Sequence, residues 1–112
     1  MAKVYIDEPL FKEIRTVFRG EANEVIDLLE SLEQNPKKGK DICTVATIAV
    51  KEIKYRGYRF YFLADAHKIR MLKVEELMDI LIRFVRMSDK KDQQKVINEI
   101  IYTLKYLGVE RF

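Results

Sequence analysis

Between positions 51 and 86 the chain sets Lys51, Lys54, Arg56, Arg59, Arg70, Arg83 and Arg86 among Tyr55, Tyr58 and Tyr61. Cations neutralise phosphates and aromatic rings stack on bases, so this mixture on a concave sheet face suits a single-stranded polyanion. The competing reading is an ordinary antiparallel sheet that turns polar side chains outward and aromatic ones inward. Arg59 stands apart, because an arginine inside an aromatic run must snorkel to solvent or meet a fixed anion. Its plainest partner is Glu52, in a surface ion pair worth little. A second cluster, Ser88-Asp89-Lys90-Lys91-Asp92, places two lysines at the expected start of a helix. Cations there oppose the helix dipole, whereas a phosphate would be held by the lysines and the free amides together. A solvated helix start accounts for the same residues.

Other chemistries lack raw material. Cys43 is the only cysteine and His67 the only histidine in 112 residues. An internal disulfide, a multi-cysteine metal site and a serine-histidine triad therefore have no supporting groups, and no metal or cofactor is expected. His67 reads as an incidental turn residue, Cys43 as a small buried hydrophobe. Residues 1–35 carry four Lys/Arg against eight Asp/Glu, residues 36–112 seventeen against ten, so a net charge of +3 conceals a swing from −4 to +7. The basic portion favours a phosphate backbone or an acidic protein partner. No apolar run approaches the ~20 residues of a membrane span, and the first residues lack signal-peptide character, which predicts a cytoplasmic protein without membrane association. Abundant Ile, Lys and Glu is the composition of a thermophile.

These side chains need elements to position them. Residues 4–6 read as a short strand, and Asp7 as the cap of a helix over 8–19 with stripe Leu10, Phe11, Ile14, Val17 and Phe18, stopped by Gly20. A second stripe, Ala22, Val25, Ile26, Leu29 and Leu32, runs to Asn35-Pro36, where the pre-proline residue leaves the helical region. Beyond the basic loop 37–40 the period falls to two. Ile48 and Val50 face one way and Ile53 and Tyr55 the other, which predicts a bulge near Lys51 and Glu52. Arg56-Gly57 predicts a two-residue hairpin turn with glycine supplying positive φ. The return strand 58–64 sets Tyr58, Phe60 and Phe62 against Arg59, Tyr61 and Leu63. After a turn at 65–67, strands are predicted over 69–74 and 77–87. Ser88 or Asp89 then caps a helix to Leu107, with Gly108 as its stop. The fold class is α+β in one domain, 1–112: an N-terminal helical hairpin packed on a mainly antiparallel sheet, with a long C-terminal helix.

This order of elements, together with two stretches, resembles the RelE/ParE-like toxins, particularly their HigB-type relatives, over nearly the whole chain. Val50-Lys51-Glu52-Ile53-Lys54-Tyr55-Arg56-Gly57-Tyr58-Arg59-Phe60-Tyr61-Phe62 looks like the family's strand pair ending in a tyrosine-arginine-aromatic motif. Phe84-Val85-Arg86-Met87-Ser88-Asp89-Lys90-Lys91-Asp92-Gln93 is similar to the strand and lysine-rich turn before its last helix. The helix end at 29–36 matches its leucine and Asn-Pro pattern.

The resemblance implies the toxin of a type II toxin-antitoxin system from an archaeal or thermophilic source. Such a toxin is a ribosome-dependent endoribonuclease that cleaves messenger RNA and inhibits translation, held by a cognate acidic antitoxin. A homodimer is also compatible with the apolar last helix. Attack of a ribose 2′-hydroxyl on the adjacent phosphate needs proton transfer and stabilisation of a charged phosphorane, which Arg, Lys and Tyr can supply without metal. On that basis Arg59, Arg86 and Lys90 are the catalytic candidates. Lys51, Lys54, Arg56, Tyr58, Tyr61, Arg70, Arg83 and Lys91 are the RNA-binding ones. Arg86-Met87 replaces the family's adjacent lysines, and the chain lacks a final strand with a catalytic tyrosine or histidine. A gyrase-directed toxin of the ParE type and a catalytically silent binding protein therefore stand beside the ribonuclease as readings.

Overall fold

The computed structural model describes residues 2–112. Strand β1 (Lys3–Ile6) leads into helices α1 (Glu8–Phe18) and α2 (Ala22–Glu30). Strands β2 (Lys40–Val45), β3 (Ile48–Tyr55) and β4 (Tyr58–Asp65) follow, then helix α3 (Ala66–Met71), strand β5 (Leu81–Asp89) and helix α4 (Gln93–Tyr102). The five strands form one sheet in the order β1-β5-β4-β3-β2, antiparallel except between β1 and β5. The molecule is thus α+β with a mostly antiparallel sheet. No helix among the described residues is long and apolar enough to cross a membrane.

Local sequence explains the helices that cover the sheet. Pro9 sits in the first turn of α1, where its missing amide costs nothing, and Leu10, Ile14 and Phe18 recur every four residues on the buried side. Ala22, Val25 and Leu29 do the same in α2. Both stripes pack on Ile53, Phe60, Phe62, Ile82 and Phe84. On the opposite face Val96, Ile97 and Ile100 of α4 cover Val50, Tyr61, Leu63 and Val85. A strand buried on both faces must be apolar at consecutive positions, which is why residues 60–64 are all inside.

That double coverage corrects the predicted bulge in β3. Its register with β4 runs unbroken from Ile48 to Tyr55. Ile48 and Val50 serve the α4 face and Ile53 the α1/α2 face in regular alternation. The irregularities lie elsewhere, in β2 between Asp41 and Cys43 and in the β4–β5 pairing after Tyr61. The strand predicted over 69–74 is absent. Asp65 accepts a hydrogen bond from the Lys68 amide (2.9 Å), capping α3 where a turn was expected, and Ile69 packs into the core. The last strand begins at Leu81 rather than 77, with Leu77 and Ile80 buried in the segment before it.

Two glycines yield their predicted roles to arginines. Arg19 (φ 48°) ends α1, and Arg56 (φ 55°) takes the left-handed position in the β3–β4 turn. Gly39 does need its freedom: at φ 111° a Cβ would lie 2.9 Å from the Phe62 ring. Asp7 forms no side-chain cap on α1; its carboxylate is taken by Arg83 at 2.7 and 3.1 Å. Ser88 and Asp89 belong to the end of β5, where the Asp89 carboxylate accepts the Asp92 amide (2.8 Å) in the turn before α4; α4 starts at Gln93, its last turns widening to a π-helix over Thr103–Leu107 before Gly108.

Candidate functional site

At one end of the sheet the register aligns Lys54, Arg59 and Ser88 across β3, β4 and β5. The next row is Glu52, Tyr61 and Arg86. Alternation points both rows toward α4, since Tyr61 lies in the core cluster that α4 covers. β5 then ends, and the turn at 90–92 carries Lys90 and Lys91 past this end of the sheet to Gln93.

The rows hold a polar cluster under the start of α4. Arg59 is 9% exposed and Glu52 1%, and Arg59 Nε stands 3.7 Å from Glu52 Oε2. Neither of those two atoms has a hydrogen-bond partner. Gln93 Nε2 donates to the other Glu52 oxygen at 3.5 Å, and Arg59 Nη1 to the Gly57 carbonyl at 3.4 Å. The Tyr61 hydroxyl and Ser88 Oγ are 2.8 Å apart, and burial pushes the Tyr61 phenol up, with the Ser88 hydrogen bond opposing. The Arg59–Glu52 pair foreseen as a surface contact is therefore buried and loosely satisfied.

Compared with protein-family models, curated proteins and solved structures, the chain has no match. Function must be read from the site itself.

The remaining candidates divide between places. Lys51 projects to the α1/α2 face, where it is 5% exposed, donates to the Lys37 carbonyl at 3.2 Å and lies over the Phe62 ring. Tyr58 shares that face, its ring edge-on to Phe18 at 5.0 Å. Arg70, on α3, binds the Thr44 hydroxyl. Tyr61 is fully buried, so its ring is not open to stacking in this conformation. Arg56 pairs with Glu21 (2.8 Å) and Arg86 with Glu99 (2.9 Å), while Arg83 holds Asp7 and the Val109 and Phe112 carbonyls. Lys54, Lys90 and Lys91 are exposed and form no ion pair among the described residues.

The register thus aligns Lys54 and Arg59, with Tyr61 and Arg86 in the next row and Lys90 and Lys91 in the turn after β5, and places Lys51, Arg56, Tyr58, Arg70 and Arg83 elsewhere. Sequence reading missed the parts played by Ser88 and Gln93, and read Glu52 as a surface partner. The one available signal was parity, which sets Glu52 on the same face as Val50 and opposite Tyr61 through the Arg56-Gly57 turn. Chemically, this end offers three unpaired ammonium groups, a guanidinium with unused donors, and the amides at the start of a ten-residue helix. Groups of these kinds can donate to phosphate oxygens. No group of three His, Cys, Asp or Glu residues suited to a metal occurs among the described residues.

Proposed function

We propose that this chain is a RelE-like toxin that cleaves translated messenger RNA at the ribosome and is held inactive by an acidic antitoxin. The carrying observation is the alignment of Lys54, Arg59 and Ser88 beside the unpaired Lys90 and Lys91 at the start of α4. In this reading α1 and α2 are the family's helical hairpin, and α4 with its π-helical continuation is the long C-terminal helix. The ribose 2′-oxygen bonds to phosphorus, the bond from phosphorus to the 5′-oxygen breaks, and the proton lost by the first oxygen is returned to the second. Arg59 stabilises the phosphorane with two donors at once, as guanidinium geometry allows, and Lys90 supplies charge and a proton donor. Lys54 and Lys91 hold the flanking phosphates.

A second reading has its own support. Arg59 is buried against Glu52, the arrangement of a structural pair, which favours a binding protein without catalysis. Primer extension on translated message separates the two. Arg59→Lys keeps a cation beside Glu52 but loses the planar fork, so cleavage should fall by about a hundredfold with the fold retained. Replacing Lys90 and Lys91 by alanine should weaken cleavage and flatten its salt dependence. Undiminished cleavage by Arg59→Lys removes Arg59 from the chemistry. No cleavage by the wild-type protein, with ribosomes and message present, favours the silent or gyrase-directed protein. Arg59→Ala is the poorer variant, because stranding a buried Glu52 costs about 3–5 kcal/mol of stability.

A further inference from the structure

β5 outlasts its neighbour. β1 pairs with it only from Lys3–Leu81 to Ile6–Phe84, and after the Asp7 amide bonds the Phe84 carbonyl (3.0 Å) the chain turns away into α1. β5 continues to Asp89, paired with β4 on one side and with no strand on the other. Among the described residues no loop backbone bonds to this outer edge at 85–89. A free edge of about five residues spans ~17 Å and is a template for another strand.

This edge lies in a groove of about 280 Å³ between α1 and α4. The α1 wall offers Val17 and Glu13, and the α4 side Val96 with Asp92, Lys95 and Glu99. Arg86 pairs with Glu99 (2.9 Å), and Asp89 accepts the Asp92 amide (2.8 Å); among the charged side chains of the groove the carboxylates of Glu13, Asp89, Asp92 and Glu99 outnumber the cations of Arg86 and Lys95. Burial holds the Glu13 carboxyl above the usual range, with Arg86 opposing.

We infer that this groove docks an extended basic peptide segment, which adds as a strand to the free edge of β5. Its side chains alternate between the two walls, lysine or arginine meeting Glu13 and Asp92, and apolar residues meeting Val17 and Val96. Within the groove carboxylates outnumber cations, which disfavours nucleic acid there, while the cationic end of the sheet adjoins it at Ser88.

The probe is a fluorescein-labelled eight-residue peptide alternating lysine and valine, titrated into the full chain by anisotropy, with hydrogen exchange read at residues 85–89. Saturable binding with slowed exchange at those amides is expected. The double variant Glu13→Lys/Asp92→Lys, altered at two exposed positions, should bind at least tenfold more weakly. The same peptide N-methylated at alternate backbone amides should not bind. Equal binding by a glutamate-valine peptide, undiminished binding by the double variant, unslowed exchange at 85–89 in the peptide complex, or no saturation at millimolar peptide overturns the inference. The ribonuclease proposal is tested separately, by message cleavage: Lys54, Arg59, Lys90 and Lys91 do not line the groove, although Tyr58, Arg86 and Ser88 do.

Discussion

Lys51 and Arg59 face opposite sides of the same sheet, and burial sets what each can do. Lys51 has one hydrogen bond, to the Lys37 carbonyl, and burial depresses its ammonium, with Asp41 opposing and Arg70 and Lys37 reinforcing. A lysine whose folded-state pKa is lowered binds fewer protons folded than unfolded. Stability withheld at neutral pH is therefore recovered as pH climbs from the depressed value toward the ordinary ~10.4. Lys51→Met keeps an apolar stem over Phe62 and removes the charge. It should lie within about 1 kcal/mol of wild type at pH 7, because the lost hydrogen bond is offset by the relieved desolvation. It should also lack the alkaline gain. Urea unfolding of both proteins at neutral and alkaline pH decides this, and parallel pH profiles would defeat it. Arg59, by contrast, keeps Nε buried beside Glu52 without a hydrogen bond, so the pair adds little net stability.

Among the elements, α3 was the least legible. Ile69 and Met71 alternate with Arg70 and Leu72, a period-two pattern, while Ala66 and Ile69 stand three apart as a helix requires. Over six residues the two periods are indistinguishable, and the Asp65 cap decides. Asp65→Ala should therefore cost about 1 kcal/mol, visible as a lower denaturant midpoint with an unchanged slope; no change would mean that Ile69 alone holds the helix. β4 was legible because its aromatic alternation survives double burial. β2 was not, since an edge strand with three exposed polar positions among six, two of them adjacent, shows no stripe. The site was legible in part. Arg59 announces itself in an aromatic strand, but the partners of Arg86 and Arg83 lie 13 and 76 residues away, distances over which spacing carries no information.

On the scale of the molecule, Arg83 ties the junction of β1 and α1 to the C-terminal segment, through Asp7 and the Val109 and Phe112 carbonyls. Asp7 is buried, so Arg83→Leu leaves a carboxylate without its cation and should destabilise the protein by about 3–5 kcal/mol. Asp7→Asn in the same chain should recover part of that loss in thermal or denaturant unfolding. Full additivity of the two single changes would mean that the pair is not coupled.

The parallel pairing of residues 3–6 with 81–84 also has a consequence in time. It closes a loop of almost eighty residues, and contacts so distant in sequence form late and slowly. During synthesis β1 must wait, unpaired, until β5 has cleared the ribosome. Helices α1 and α2 and the β2–β3–β4 meander can assemble first, so β1 joins the sheet late, and the Arg83 clamp forms only after residues 109–112 have emerged.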